Sequence, residues 1–189
     1  MARQSGGVVL AAFLLFVWGF LYWGISTLPY SAWSHPPDEK AAAQALHSHF
    51  PSSGTYFVPG PQMAAAERAA LLASGAPATM LHVQYNAPRP GDPMAMVKGF
   101  GLNLLFATAL ALLMFRVRSS SRTYTGRLGV ALWAGVAAVL LIDGGDWVWW
   151  GTTLHWTLFQ AFYDFSAFVI AGAVLAAFIK SDSFGNRFS

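Results

Sequence analysis

The sequence predicts an all-α membrane protein, a bundle of four transmembrane helices with a small α+β extracytoplasmic domain between the first two. Residues 6–29 contain no charged side chain, and the stretches 99–115, 128–142 and 154–179 contain a single acid, Asp164. Charged residues make up 10% of the 189 residues. Soluble domains carry about 25%, and the deficit indicates a surface that faces lipid, where charge is costly.

Changes in hydropathy divide the chain into seven segments. The first apolar run, of about 24 residues, exceeds the roughly 7–15 residues of a signal-peptide core, so we expect a retained span. The predicted segments are transmembrane helix 1 (1–29), the extracytoplasmic domain (30–97), transmembrane helix 2 (98–116), an arginine-rich cytoplasmic linker (117–127), transmembrane helices 3 (128–150) and 4 (151–180), and a cytoplasmic tail (181–189).

The distribution of cations predicts the orientation in the membrane. The stretch 116–127 holds four arginines and no acid, Arg3 flanks the first span, and Lys180 and Arg187 follow the last. If the spans alternate in direction, all seven cations lie on one side, which the positive-inside rule makes cytoplasmic. We therefore expect a multi-pass protein of the bacterial inner membrane, with both termini cytoplasmic and residues 30–97 extracytoplasmic.

The predicted extracytoplasmic domain, residues 30–97, shows alternating helix and strand patterns. It is predicted to contain a helix beginning at Asp38 and Glu39, a strand at 55–58, a helix at 62–74 and a strand at 78–86. So few residues form only a thin core. We expect this domain to rest on the membrane helices or on a partner.

Three acids near the predicted outer membrane face are candidates for ion binding. Asp143 lies sixteen residues after Arg127, and Asp164 lies sixteen residues before Lys180, so both sit about 24 Å from the inner anchors. The hypothesis is a proton- or cation-binding cluster of Asp143, Asp146, Asp164 and Lys98. The alternative is a salt-bridged interfacial set that orients the helices.

Tryptophans concentrate at the predicted outer ends of the spans, where a belt of indole rings is usual. The alternative is a face that contacts partner subunits, lipid, quinone or pigment. The interface candidates are Trp23, Trp33, Trp147, Trp149, Trp150 and Trp156.

Metal and catalytic chemistry have little support in the sequence. There is no cysteine, which excludes disulfides and thiolate metal sites, and no GxSxG, HExxH or Walker motif is present. We predict no catalytic residue, no metal, no resident cofactor and no nucleic-acid partner. The weak metal candidates are His47, His49, His82 and His155, the last also a candidate ligand for haem or pigment.

Small residues recur at four-residue spacing in the spans, a pattern that lets helix backbones approach closely. The pairs include Ala131 with Gly135, Gly172 with Ala176, and Ala107 with Ala111. They predict either a compact bundle or a docking face for another subunit.

Several motifs resemble those of a loose group of four-span bacterial inner-membrane proteins with no assigned activity. The resemblance rests on FVWGFLYW at 16–23, GTYFVPGP at 54–61, DWVWWG at 146–151 and the small-residue final span. It implies the four-span architecture and indicates no particular activity.

The leading functional hypothesis is a non-catalytic accessory or scaffold subunit of a larger bacterial membrane complex, of respiratory or photosynthetic type. Its expected partners are membrane lipids and other membrane subunits, or further copies of this chain. The first alternative is a small ion- or proton-coupled carrier that uses the outer-leaflet aspartates. The second alternative is a protein that binds quinone, lipid or pigment.

Overall fold

The computed structural model describes residues 2–89 and 91–179 and is mostly helical. It confirms the prediction of four helices long and apolar enough to span a membrane: Gln4–Ile25, Pro93–Arg116, Tyr124–Trp150 and Leu154–Phe178. The chain thus has the architecture of a multi-pass membrane protein. Lys180 and the predicted tail at 181–189 lie outside the described residues.

The elements follow one another with short connections. In chain order they are α1 (Ala2–Gly19), α2 (Glu39–His49), β1 (Gly54–Val58), α3 (Ala65–Ala73), β2 (Thr79–Val83), α4 (Pro93–Arg116), α5 (Tyr124–Leu141), α6 (Asp143–Trp150) and α7 (Leu154–Phe178). A π-helical turn, Phe20–Ile25, extends α1, and a short 3-10 helix covers Pro29–Ala32.

Side-chain caps explain why two membrane helices begin earlier than hydropathy predicts. The Asp92 carboxylate accepts two backbone N–H groups of the first turn of α4, at 2.7 and 3.1 Å, and Pro93 occupies the first helical position, where its missing N–H costs nothing. The Thr123 hydroxyl accepts the Gly126 N–H at 3.0 Å and starts α5 inside the predicted linker.

The third span contains a slight interruption at Ile142 and not at the following glycine pair. The Ile142 N–H still donates to Ala138, and the Asp146 N–H donates to Ile142, both at 2.8 Å. Helical hydrogen bonding therefore continues from α5 into α6. Two acids, Asp143 and Asp146, lie in the first turn of α6.

The closest helix packing in the molecule joins α5 to α7, which run antiparallel. A Cβ added at Gly172 would overlap the side chain of Ala131, and one added at Gly135 would lie 2.8 Å from the Phe168 Cβ. At the start of α5, the buried Arg127 Nε donates to the Ala176 carbonyl at 3.1 Å. These contacts share one antiparallel register, so they fix how far each helix slides along the other.

The other two spans pack against α7 and α1. A Cβ at Gly7 would lie 2.7 Å from Phe178, so the beginning of α1 meets the end of α7. Helix α4 packs along α1 and touches α5 and α7 only locally. The core joins all four helices; its buried residues are Ala11, Ala12, Leu15, Ala107, Leu110, Met114, Ala131, Ala171, Leu175, Ala176 and Ile179.

The bundle has two chemically different ends. The arginine end holds Arg116, Arg118, Arg122 and Arg127 together with the beginning of α1 and the end of α7. The tryptophan end holds α6 and the beginning of α7, with Trp147, Trp149, Trp150 and Trp156. The helices alternate in direction between these ends, as the sequence predicts.

The small-residue pairs are used inside the bundle. Ala131, Gly135, Gly172 and Ala176 are buried between α5 and α7, and Ala107 is buried in the core. Close backbone approach replaces the hydrophobic driving force that lipid does not provide. The pairs therefore build the compact bundle rather than a free docking face.

The segment between α1 and α4 forms a hairpin with two short helices. Strands β1 and β2 pair antiparallel, from Gly54 opposite Val83 to Val58 opposite Thr79. Tyr85 donates to the Phe50 carbonyl at 2.8 Å and ties the hairpin to the end of α2. Within residues 34–89 only Pro59 is fully buried, so this αβ segment has very little core of its own.

We predict that Gly172→Ala destabilises the protein because its methyl group has no space against Ala131. The free energy of unfolding should fall by about 1–3 kcal/mol, as in other overpacked cores. The measurement is thermal unfolding of the detergent-purified protein, followed by circular dichroism.

Gly129→Ala is the matched control, because a Cβ at Gly129 in α5 meets nothing within 4 Å. It should leave the free energy of unfolding unchanged or raise it by up to about 1 kcal/mol, because alanine has the higher helix propensity. Equal stability of the two variants would contradict the assigned α5–α7 register.

Candidate functional site

A cavity of about 380 Å³ lies between the membrane helices toward the tryptophan end. Its walls come from α1, α4, α5, α6 and α7 and are largely apolar. Four lining side chains are polar: Asn103, Asp143, Tyr163 and Asp164. The cavity thus brings together two of the three predicted acids and two neutral polar groups.

Asp143 is the most unusual residue of the cavity. It is 4% exposed, and its Oδ2 is buried with no hydrogen-bond partner among the described residues. Buried carboxylate oxygens are normally hydrogen-bonded or paired with a cation. Asp143 therefore combines a place in the cavity lining with a buried oxygen that has no partner among the described residues.

Asp164 reaches the same cavity from the middle of α7. The register of α5 and α7, continued toward the tryptophan end, places Asp164 beside Val139. Asp143 follows one helical turn later, about 6 Å further along the axis. The two acids are close enough for their charges to interact. Two negative charges in apolar surroundings require a proton or a cation between them.

No basic side chain among the described residues lines this cavity. Asp146 lies three residues after Asp143 and interacts with it electrostatically, and Lys98 is exposed at the beginning of α4. Neither Asp146 nor Lys98 is a lining residue. Of the predicted cluster, only Asp143 and Asp164 therefore share the cavity.

Tyr163 is held in place by aromatic stacking. Its ring stacks on Trp18 at 6.4 Å and on Tyr22 at 5.3 Å between centroids. Tyr22, within the π-helical turn, donates to the Phe159 carbonyl at 2.9 Å and locks α1 against α7. The wall of the cavity that carries Tyr163 is therefore rigid.

Asn103 is not among the site residues predicted from the sequence, although the sequence contains one signal for it. It is an amide inside an otherwise apolar span, and polar residues within spans usually face the bundle interior. No comparable signal marks Tyr163, because tyrosines near the ends of spans also form the ordinary aromatic belt.

The predicted interface tryptophans fall into two groups. Trp23, Trp33 and Trp156 pack together, with ring centroids 5.8 and 5.9 Å apart for the two contacts of Trp156. A Tyr30 hydroxyl that donates to the Trp23 carbonyl closes this cluster. Trp33 is nevertheless exposed, as are the other three, which lie on α6: Trp147, Trp149 and Trp150.

The structure gives two of the predicted histidine candidates local partners. His47 contacts the Tyr85 hydroxyl at 3.1 Å, and His82 contacts the Thr55 hydroxyl at 3.0 Å. His49 and His155 are exposed. Within residues 2–89 and 91–179, no three His, Asp or Glu side chains form a group that could hold a metal ion.

Comparisons with protein-family models, with curated proteins and with solved structures found no match to this chain. The resemblance to the four-span bacterial group therefore remains a prediction, and the chemistry of the cavity carries the functional argument.

We predict that Asp143→Asn leaves the stability of the fold unchanged or increases it. The substitution removes a buried carboxylate whose Oδ2 has no hydrogen-bond partner among the described residues, so the free energy of unfolding should stay constant or rise by about 1–2 kcal/mol. Thermal unfolding of the purified variants measures this change.

Arg127→Gln provides the contrast, because Arg127 is buried and donates to the Ala176 and Arg122 carbonyls at 3.1 and 2.8 Å. Its loss should lower the free energy of unfolding by about 1–3 kcal/mol. A comparable loss for Asp143→Asn would show that Asp143 is a structural anchor and not a ligand-binding group.

Proposed function

We propose that this chain is a small proton-coupled membrane carrier in which Asp143 and Asp164 bind the coupling ion. The observation that carries the proposal is Asp143, a residue that lines the same cavity as Asp164 and whose Oδ2 atom is buried without a hydrogen-bond partner among the described residues. Acids within membrane spans usually mark ion pathways or proton relays.

The physical basis of coupling is competition for the same oxygen atoms. A carboxylate pair in an apolar cavity is stable when one proton or one cation neutralises part of its charge. A cation that enters displaces the proton, and a returning proton displaces the cation. Among the described residues, the other polar groups of the cavity lining are Asn103 and Tyr163, and Asp146 interacts electrostatically with Asp143. None of these supplies a positive charge.

The positive-inside rule supports an orientation for this carrier. With the arginine end in the cytoplasm of a bacterial cell, both termini are cytoplasmic and the αβ segment is extracytoplasmic. The cavity then lies in the outer half of the inner membrane. Because four helices enclose little space, we propose that two or more copies together complete the pathway to the other side.

The accessory-subunit hypothesis is the second proposal. The observation that favours it is the exposure of Trp147, Trp149 and Trp150, at 49%, 79% and 54%, on α6. Such rings suit a partner subunit and suit lipid headgroups equally well. The carrier comes first because the buried acid needs a ligand and the exposed tryptophans do not.

We predict that the protein has an infrared band from protonated carboxyl groups that depends on Asp143 and Asp164. Difference spectra between acidic and alkaline samples of the full chain in lipid should show the carbonyl stretch of a carboxylic acid shielded from water. Asp143→Asn and Asp164→Asn should each reduce this band strongly. Reconstituted liposomes with an internal pH dye should lose proton flux in the same variants, by at least about tenfold.

Glu67→Gln is the matched control, since Glu67 is an exposed acid of α3. It should leave the shielded band and the flux unchanged. If both aspartate variants keep the shielded band, the pair does not bind protons and the carrier proposal fails.

A further inference from the structure

We infer that the cavity binds an amphipathic organic cation, which enters sideways from the bilayer between α4 and the α5–α6 junction. The inference rests on the proposed function, because the same two carboxylates bind the proton and the organic cation. It names the class of substrate that the carrier exchanges for protons.

The size of the cavity favours an organic ligand over an inorganic ion. Its volume is about 380 Å³, within the range of roughly 300–1,000 Å³ that small-molecule sites occupy. Most of its wall is apolar, and the oxygen donors are confined to Asn103, Asp143, Tyr163 and Asp164. A bare metal cation prefers a tight shell of oxygen ligands, which this wide cavity does not provide.

The charge of the cavity selects a cation. Asp143 and Asp164 place two carboxylates in its wall, and none of its described lining residues is Lys, Arg or His. A neutral ligand would leave the negative charge of the pair uncompensated, and an anion would be repelled. An organic cation replaces the bound proton one for one, so the net charge of the pair is the same before and after the exchange.

Aromatic rings provide the second half of a cation site. Phe106 and Phe168 meet edge to face with centroids 4.9 Å apart, and both line the cavity with Tyr163. Ring faces attract alkylammonium and phosphonium cations, most strongly where water is excluded. Carboxylates with aromatic walls match a cation whose charge is carried by an apolar body.

The exposure of the lining residues shows where the cavity opens. Leu102 on α4 is 66% exposed, and Ile142, between α5 and α6, is 59% exposed. Leu105 and Leu141 next to this mouth are also exposed, so in a bilayer the opening faces lipid chains. The gap persists because α4 packs along α1 and meets α5 only locally. A ligand that arrives from lipid must itself be amphipathic.

The test is binding of tetraphenylphosphonium to the full chain in lipid nanodiscs, measured by equilibrium dialysis. Tetraphenylborate, which has the same shape and the opposite charge, is the matched ligand. We expect the wild-type protein to bind the phosphonium and not the borate. Asp143→Asn and Asp164→Asn should each weaken phosphonium binding by at least about tenfold, and Phe106→Leu by about three- to tenfold.

Glu67→Gln is again the matched protein control, because Glu67 is an exposed acid of α3 and lies outside the cavity lining. It should change the phosphonium affinity by no more than about twofold. Bound phosphonium should also abolish the shielded carboxyl band of the wild-type protein, because the cation displaces the proton.

Three results would overturn the inference. The wild-type protein could fail to bind phosphonium, bind borate as tightly, or bind phosphonium unchanged in both aspartate variants. If the carboxyl band that depends on Asp143 and Asp164 is present in the first case, proton binding stands and only the organic substrate is wrong. If that band is absent, the proposed carrier function fails as well.

Discussion

The close approach of α5 and α7 is the constraint on which the rest of the structure depends. Gly172 leaves space for Ala131, and Gly135 leaves space for the Phe168 side chain. Arg127 then closes the arginine end by donating to Ala176. In a bilayer, moving an apolar side chain from lipid into the bundle gains little free energy. Close approach of the backbones therefore supplies the contacts that hold the helices together. This packing sets the register that brings Asp143 and Asp164 into one cavity.

The cavity exists because the side of the bundle between α4 and α5 stays open. Helix α1 packs between α4 and α7, while α4 hardly meets α5. In a soluble protein, exposing the resulting apolar walls to water would destabilise the fold. In a bilayer the lipid chains cover these walls, so the opening costs little free energy.

Counting residues along the spans predicted the depth of the acids but could not separate their faces. Asp143 and Asp164 were expected at one height, and the structure places both in the cavity wall. Asp146 and Lys98 were expected beside them, and neither lines the cavity. Height follows from the rise per residue, whereas the face depends on how each helix is rotated in the bundle. Because all these helices are apolar around most of their circumference, their hydrophobic pattern does not reveal that rotation.

By itself, the sequence determined the four long apolar helices, their alternation and the order of helices and strands in the αβ segment, because these depend on hydropathy and local patterns. It also indicated that Asp143 and Asp164 belong near one height of the bundle, because that height follows from counting residues along the helices. Only the tertiary structure decided that the small-residue pairs pack inside the bundle. It also decided that Asn103 and Tyr163 line the same cavity as the two aspartates, and that this cavity opens between α4 and the α5–α6 junction. These features depend on contacts between residues far apart in the chain, such as Ala131 with Gly172, and local patterns carry no information about them.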